Sequence, residues 1–150
     1  MAISPNDDFT AGQVLTATEC NQFPRGVMGY AEATANYLNF NAIGTVLTVT
    51  FTAVANRYYR ITYHEPVLLG NGAATNVTMT IANVTTALQA SGTTTNTTYS
   101  QQGTAIAVET FTAGSITINA RLTNTGGTSA SAGRSATAPA LLLVEDIGTA

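Results

Sequence analysis

The sequence has no lysine and no tryptophan, one cysteine (Cys20), one histidine (His64) and four prolines in 150 residues, and only 9% of it is charged. Five arginines against eight acids leave a net charge of −3. General nucleic-acid binding needs clustered cations that displace counterions from phosphates, so this composition excludes it. A single cysteine excludes an intrachain disulfide. One histidine beside it excludes a Cys/His or multi-histidine zinc site built from one chain. Without lysine there is neither a Schiff base nor a Walker A loop. No apolar run reaches the roughly 18–20 residues of a membrane helix, and Met1 to Asp8 carries no basic residue leading into an apolar core, so neither a membrane span nor a secretory signal is expected.

What the chain does have is threonine, 28 residues of it, within a sequence that is 45% apolar. That is too hydrophobic for disorder and suits sheet. From Arg25 onward the hydrophobic period is two. Leu47, Val49, Phe51 and Ala53 alternate with Thr48, Thr50 and Thr52, and Tyr59, Ile61 and Tyr63 with Arg60, Thr62 and His64. The short link at Ala55-Asn56 predicts a hairpin between these two strands. Further strands are expected at Val77–Ile81 and Ile116–Leu122, with weaker ones at Val27–Thr34 and Thr104–Thr112. Turns are expected at Gly70-Asn71-Gly72, Ala113-Gly114 and Gly126-Gly127, and polar loops at 91–98 and 125–137. Ala140 to Val144 is apolar without a break, which places this strand centrally or against another subunit. The expected fold is an all-β antiparallel sandwich of the jelly-roll kind, residues 25–150.

Residues 1–24 read as an extended arm. Thr16-Ala17-Thr18-Glu19 has capping-box spacing, which predicts one short helix that Pro24 ends after one or two turns.

Few residues offer catalysis. His64, the single imidazole, would have to serve any nucleophilic triad, and beside Glu65 it reads as a surface or satisfied histidine. Cys20 has no cation near it in sequence to favour a thiolate. Glu145 and Asp146 are neighbours on an extended segment and so point to opposite faces. Glu32, Glu65 and Glu109 read as solvated acids, and Asn6-Asp7-Asp8 lacks the glycine and distal glutamate of a calcium loop. The expectation is a non-enzyme without metal or cofactor. Two binding readings remain. Arg57, Tyr58 and Arg60 combine planar cations with an aromatic, a set suited to a receptor or sugar. The Thr-x-Thr ladders lack the regular repeat of a flat ice-binding array, and the sequons at Asn76, Asn83 and Asn96 are what a threonine-rich chain yields by chance.

Natural sheets commonly blunt exposed edges with lysine or proline. Here there is no lysine, and the prolines stand only at positions 5, 24, 66 and 139. Covering by copies of the same chain is therefore expected, with a trimer favoured and Leu141 and Leu143 as interface candidates.

The arm Phe9-Thr10-Ala11-Gly12-Gln13-Val14-Leu15-Thr16-Ala17, then Asn21, then Phe23-Pro24-Arg25-Gly26-Val27, resembles the start of small virion structural proteins of tailed bacteriophages. The resemblance continues in Ala33-Thr34-Ala35-Asn36, in Phe51 to Thr62 and in Leu143 to Gly148. It implies a β-sandwich component of a phage particle, a capsid decoration protein or head fibre, or a tail-fibre or minor tail domain. Such a protein is fixed to other virion proteins (major capsid or tail proteins) by its N-terminal segment. Phe9, Val14, Leu15, Phe23 and Arg25 are the attachment candidates. No catalytic residue is implied. Without a collagen-like or coiled-coil stalk the compact decoration form is favoured, and a host-surface glycan is the partner expected under the tail reading.

Overall fold

The computed structural model describes residues 14, 17–21, 23–72, 75–126 and 128–150. Phe9, Leu15, the Thr16 cap, the Asn6-Asp7-Asp8 segment and Gly127 lie outside them. In place of the arm helix expected after Thr16 there is a single helical turn, Ala17–Cys20, closed by the Asn21 amide on the Ala17 carbonyl at 3.1 Å. One turn fixes several dihedrals for one hydrogen bond and has no stability of its own.

Ten strands follow: β1 Gly26–Ala33, β2 Tyr37–Phe40, β3 Gly44–Ala53, β4 Arg57–Gly70, β5 Thr75–Asn83, β6 Thr86–Thr95, β7 Gln101–Thr110, β8 Gly114–Thr125, β9 Ala130–Gly133 and β10 Ala140–Thr149. They form two antiparallel sheets. One runs β3-β8-β5-β6; the other runs β1-β10-β4-β9-β2, with β7 on the far side of β4. The six-stranded sheet curls strongly. It is simpler than its strand count suggests, because β10 lies along Arg57–His64 and β9 along Val67–Gly70 on the same side of β4. β1 flanks β10 and β2 flanks β9 in the same manner. Two strands, each interrupted once, therefore fill two lanes. Counted as lanes in chain order, the sheets are 1-8-3-6 and 2-7-4-5.

Alternation decides which side chains fill the space between the sheets. Leu47, Val49 and Phe51 on β3, Ile118, Ala120 and Leu122 on β8 and Val77, Met79 and Ile81 on β5 face Tyr59, Ile61, Tyr63 and Leu68 on β4 and Leu142 and Val144 on β10, all buried. Ala105, Ala107, Ala130, Ala132 and Ala140 supply small inward positions on the curled sheet. Phe51, Tyr59 and Phe111 cluster at one end, with centroids 5.1–6.0 Å apart.

Three expectations need correction and a fourth gains detail. Ala55-Asn56 is no hairpin turn: β3 and β4 belong to different sheets, and the link crosses between them. It is held by Tyr59, whose hydroxyl accepts from the Val54 amide at 2.8 Å, and Asn56 takes the left-handed φ of 59°. The 91–98 loop is largely strand, since β6 runs to Thr95 as an edge with little apolar alternation to show. The 125–137 loop contains β9, four small residues. The unbroken run 140–144 does lie centrally, between β1 and β4, yet it alternates: Ala140, Leu142 and Val144 are buried while Leu141 and Leu143 are half-buried on the outer face.

The interruptions fall at Pro66, which has no amide hydrogen to give a ladder. There Glu65 turns inward and is fully buried, against its reading as a solvated acid. It accepts from the Tyr63 hydroxyl at 2.6 Å and from Arg134 Nε at 3.0 Å and Nη2 at 2.5 Å. Arg134 follows directly on β9, and its own amide donates to Asn36 at 2.7 Å, beside the break between β1 and β2. Burial, then the charge and hydrogen bond of Glu65, push the Tyr63 hydroxyl far up against the opposing pull of Arg134, so it remains a donor.

At the end of β4, Gly70 lets two sheets approach: a β-carbon there would stand 2.5 Å from Thr75 Cβ and 2.8 Å from Thr95 Oγ1. Gly70→Ala is expected to destabilise by about 1–3 kcal/mol through overpacking, read as a lower midpoint in urea unfolding.

Candidate interaction sites: the arm clasp and the outer sheet face

Arg57 opens β4 in phase with Tyr59 and Ile61, so its side chain enters the interior, where it is 3% exposed. Asp146 near the end of β10 points the same way, and the guanidinium forks onto it through Nε and through Nη2 at 2.8 Å. Two further donors go to the arm. Nη1 donates to the Asn21 carbonyl at 2.5 Å and Nη2 to the Phe23 carbonyl at 2.5 Å. Asp146 completes the clasp by accepting from the Gly148 amide at 3.0 Å and from the Arg25 amide. Alternate residues 21, 23 and 25 are thus tied to one buried ion pair just before Gly26, φ 78°, turns the chain into β1.

Burial by itself would raise the Asp146 carboxyl. The hydrogen bonds and charge of Arg57, with the Gly148 and Arg25 amides, outweigh it and hold the group below its ordinary 3.8. Because the folded value lies below the unfolded one, the stabilisation is complete above about pH 4 and is lost as pH falls through the folded value.

The structure separates the set Arg57, Tyr58 and Arg60. Arg57 is inside with its donors engaged; Tyr58 is half-buried and Arg60 exposed on the outer face. Arg60 pairs there with Glu145 at 2.8 Å, so Glu145 and Asp146 do face opposite ways. Exposed pairs of this kind contribute little stability. His64 is outward too, its Nδ1 3.0 Å from Thr104 Oγ1, while Glu65 faces inward, so the two are on opposite sides of the sheet. Glu32 on β1 and Glu109 on β7 are separated by β10 and β4. No group of three or more His, Cys, Asp or Glu suited to a metal occurs among the described residues.

One register row across the outer face reads Tyr30, Leu143, Thr62, Ile106. Tyr30 is 64%, Ile106 53% and Val108 52% exposed, so the apolar surface extends beyond the Leu141 and Leu143 expected from the sequence. Its signal was present: Ile106 and Val108 alternate with Ala105 and Ala107, and the alanines, being smaller, are the inward set. Of the attachment candidates, Val14 is 85% exposed, and Phe23 and Arg25 are exposed with their backbone in the clasp.

The other sheet presents hydroxyls. Thr48 donates to Asn119 at 2.9 Å and Thr50 meets Thr117 at 3.1 Å, and Arg121 is the one charged residue in its four strands.

Arg57→Ala is expected to cost about 3–5 kcal/mol, because it leaves Asp146 buried without its cation. It should also speed protease cleavage around residues 21–25. In Asp146→Asn the share of acid unfolding that belongs to this carboxyl should vanish, which a pH titration of stability beside wild type checks. A scan against protein-family models finds no match to this chain, and a search of curated proteins finds none either.

Proposed function

We propose that this chain is a non-enzymatic structural protein of a tailed-phage particle, a capsid decoration or head-fibre protein docked through its N-terminal arm. The observation that carries the reading is the clasp. A buried bidentate ion pair fixes the backbone at residues 21–25 to the body, so a load taken by the arm passes into the centre of the sheet. Beyond it Val14 offers an uncovered apolar side chain. The resemblance of the arm and of Phe51–Thr62 to virion proteins supports the same reading. The lane orders 1-8-3-6 and 2-7-4-5 are those of a jelly roll, an architecture used in viral capsids.

The body associates with copies of itself, as a trimer, through the outer face around Tyr30, Leu141, Leu143 and Ile106, where apolar exposure concentrates. A charge at its centre, Leu143→Glu, is expected to yield monomers in sedimentation velocity without unfolding the sandwich.

Deleting residues 1–20 leaves the carbonyls of Asn21 and Phe23 on Arg57. The truncated protein is expected to fold and to be absent from particles assembled in its presence; incorporation at the wild-type level would overturn the docking role. The second reading, a tail-fibre or minor tail domain that binds a host-surface glycan, draws on exposed Arg60 beside Tyr58. It requires cell-wall binding that Tyr58→Ala or Arg60→Ala weakens at least tenfold, about 1.4 kcal/mol.

A further inference from the structure

Near Gly70, at one end of the sandwich, three oxygens are withdrawn from solvent without a hydrogen-bond partner among the described residues. Thr75 on β5 stands opposite Thr95 on β6. Asn124 on β8 is opposite Val77, which places it one diagonal from Thr75 in the same sheet. Thr75 is 0%, Thr95 3% and Asn124 8% exposed, and Thr75 Oγ1, Thr95 Oγ1 and Asn124 Oδ1 have no hydrogen-bond partner among the described residues. Both hydroxyls border Gly70, lying 2.5 and 2.8 Å from where its β-carbon would be.

Buried polar groups left unbonded are costly, and native proteins rarely keep three together. The donor set is neutral and small. Calcium takes six to eight oxygens, with carboxylates among them, and no carboxylate belongs to this set. Water needs two to four polar partners and both donates and accepts. We propose that Thr75, Thr95 and Asn124 form an internal site for one water molecule that bridges β5, β6 and β8. The water donates to Asn124 Oδ1 and to one threonine hydroxyl and accepts from the other. Glycine at position 70 keeps the two hydroxyls free to turn toward it.

The sign of a mutational effect separates this site from three merely orphaned groups. If the oxygens share a water, Thr95→Val removes one of its partners and strands the others. The urea midpoint should then fall, with the folded-to-unfolded ratio down roughly fivefold. If the hydroxyl is orphaned, the isosteric valine removes an unsatisfied group and the midpoint rises, which would overturn the site. A high-resolution crystal structure of the full chain should show a water peak within hydrogen-bond distance of at least two of the three oxygens. Thr95→Ser, which keeps the hydroxyl, should retain that peak. An empty site refutes the proposal. So does a peak replaced by thallium when thallous acetate substitutes for sodium acetate at constant ionic strength, since that identifies a monovalent cation.

Discussion

Strand β4 carries two opposite charges into the interior, Arg57 at its start and Glu65 eight residues on, in phase with Tyr59, Ile61 and Tyr63. Neither charge can be left there alone, because removing an ion from water costs several kcal/mol even after relaxation. Asp146 and Arg134 answer them, from near the end of β10 and from the exit of β9. β9 and β10 must therefore lie along β4 in one register. A slip by one residue would turn Asp146 outward, and a slip by two would move it a full pleat from Arg57. Hydrophobic burial makes the sandwich stable; these two pairs select which pairing of its strands is formed.

Both pairs also govern places where the sheet is imperfect. The Glu65 pair stands where β10 gives way to β9 beside Pro66, and the same arginine reaches Asn36 at the break between β1 and β2. The Asp146 pair stands at a bulge of β10 near Gly148. Irregular backbone carries amides and carbonyls that no ladder satisfies; at the bulge the Arg57 and Asp146 side chains supply partners for some of them, and at the lane break the neutral Asn36 side chain takes the Arg134 amide.

Much of this was legible in the sequence. Alternation located the central strands 47–53, 59–64, 77–81 and 116–122, and it put Glu145 and Asp146 on opposite faces. The same period, continued two residues each way from Tyr59 and Tyr63, puts Arg57 and Glu65 inside. Their charge speaks against that placement, because charged residues are almost never fully buried unless paired, and both partners lie far away in sequence. β6 and β9 were hidden for another reason: β6 has Leu88 as its one large apolar side chain among Thr, Ala, Gln, Ser and Gly, and β9 is four residues of Ala, Ser and Gly, so neither shows the row of large side chains through which a buried face announces itself. The supposed hairpin at Ala55-Asn56 failed because a short link serves equally to pair two strands or to cross between sheets, and only the distant partners β8 and β10 distinguish the two. The three unbonded oxygens could not have been read at all, since nothing marks Thr75, Thr95 and Asn124 apart from the other threonines and asparagines.

Between β9 and β10 the chain leaves the sheet at Arg134 and returns at Ala140, and Ser135 and Ala138 exchange backbone hydrogen bonds of 3.0 and 3.2 Å. Only Ala136 and Thr137 lie beyond that bridge, both exposed. The loop is thus a spur closed at its base, with strands in the same lane on either side and a buried arginine beneath it. Sequence added at its tip would meet no ladder and no core. The two exposed residues at that tip are thus a place where added chain leaves the register of the sandwich below untouched.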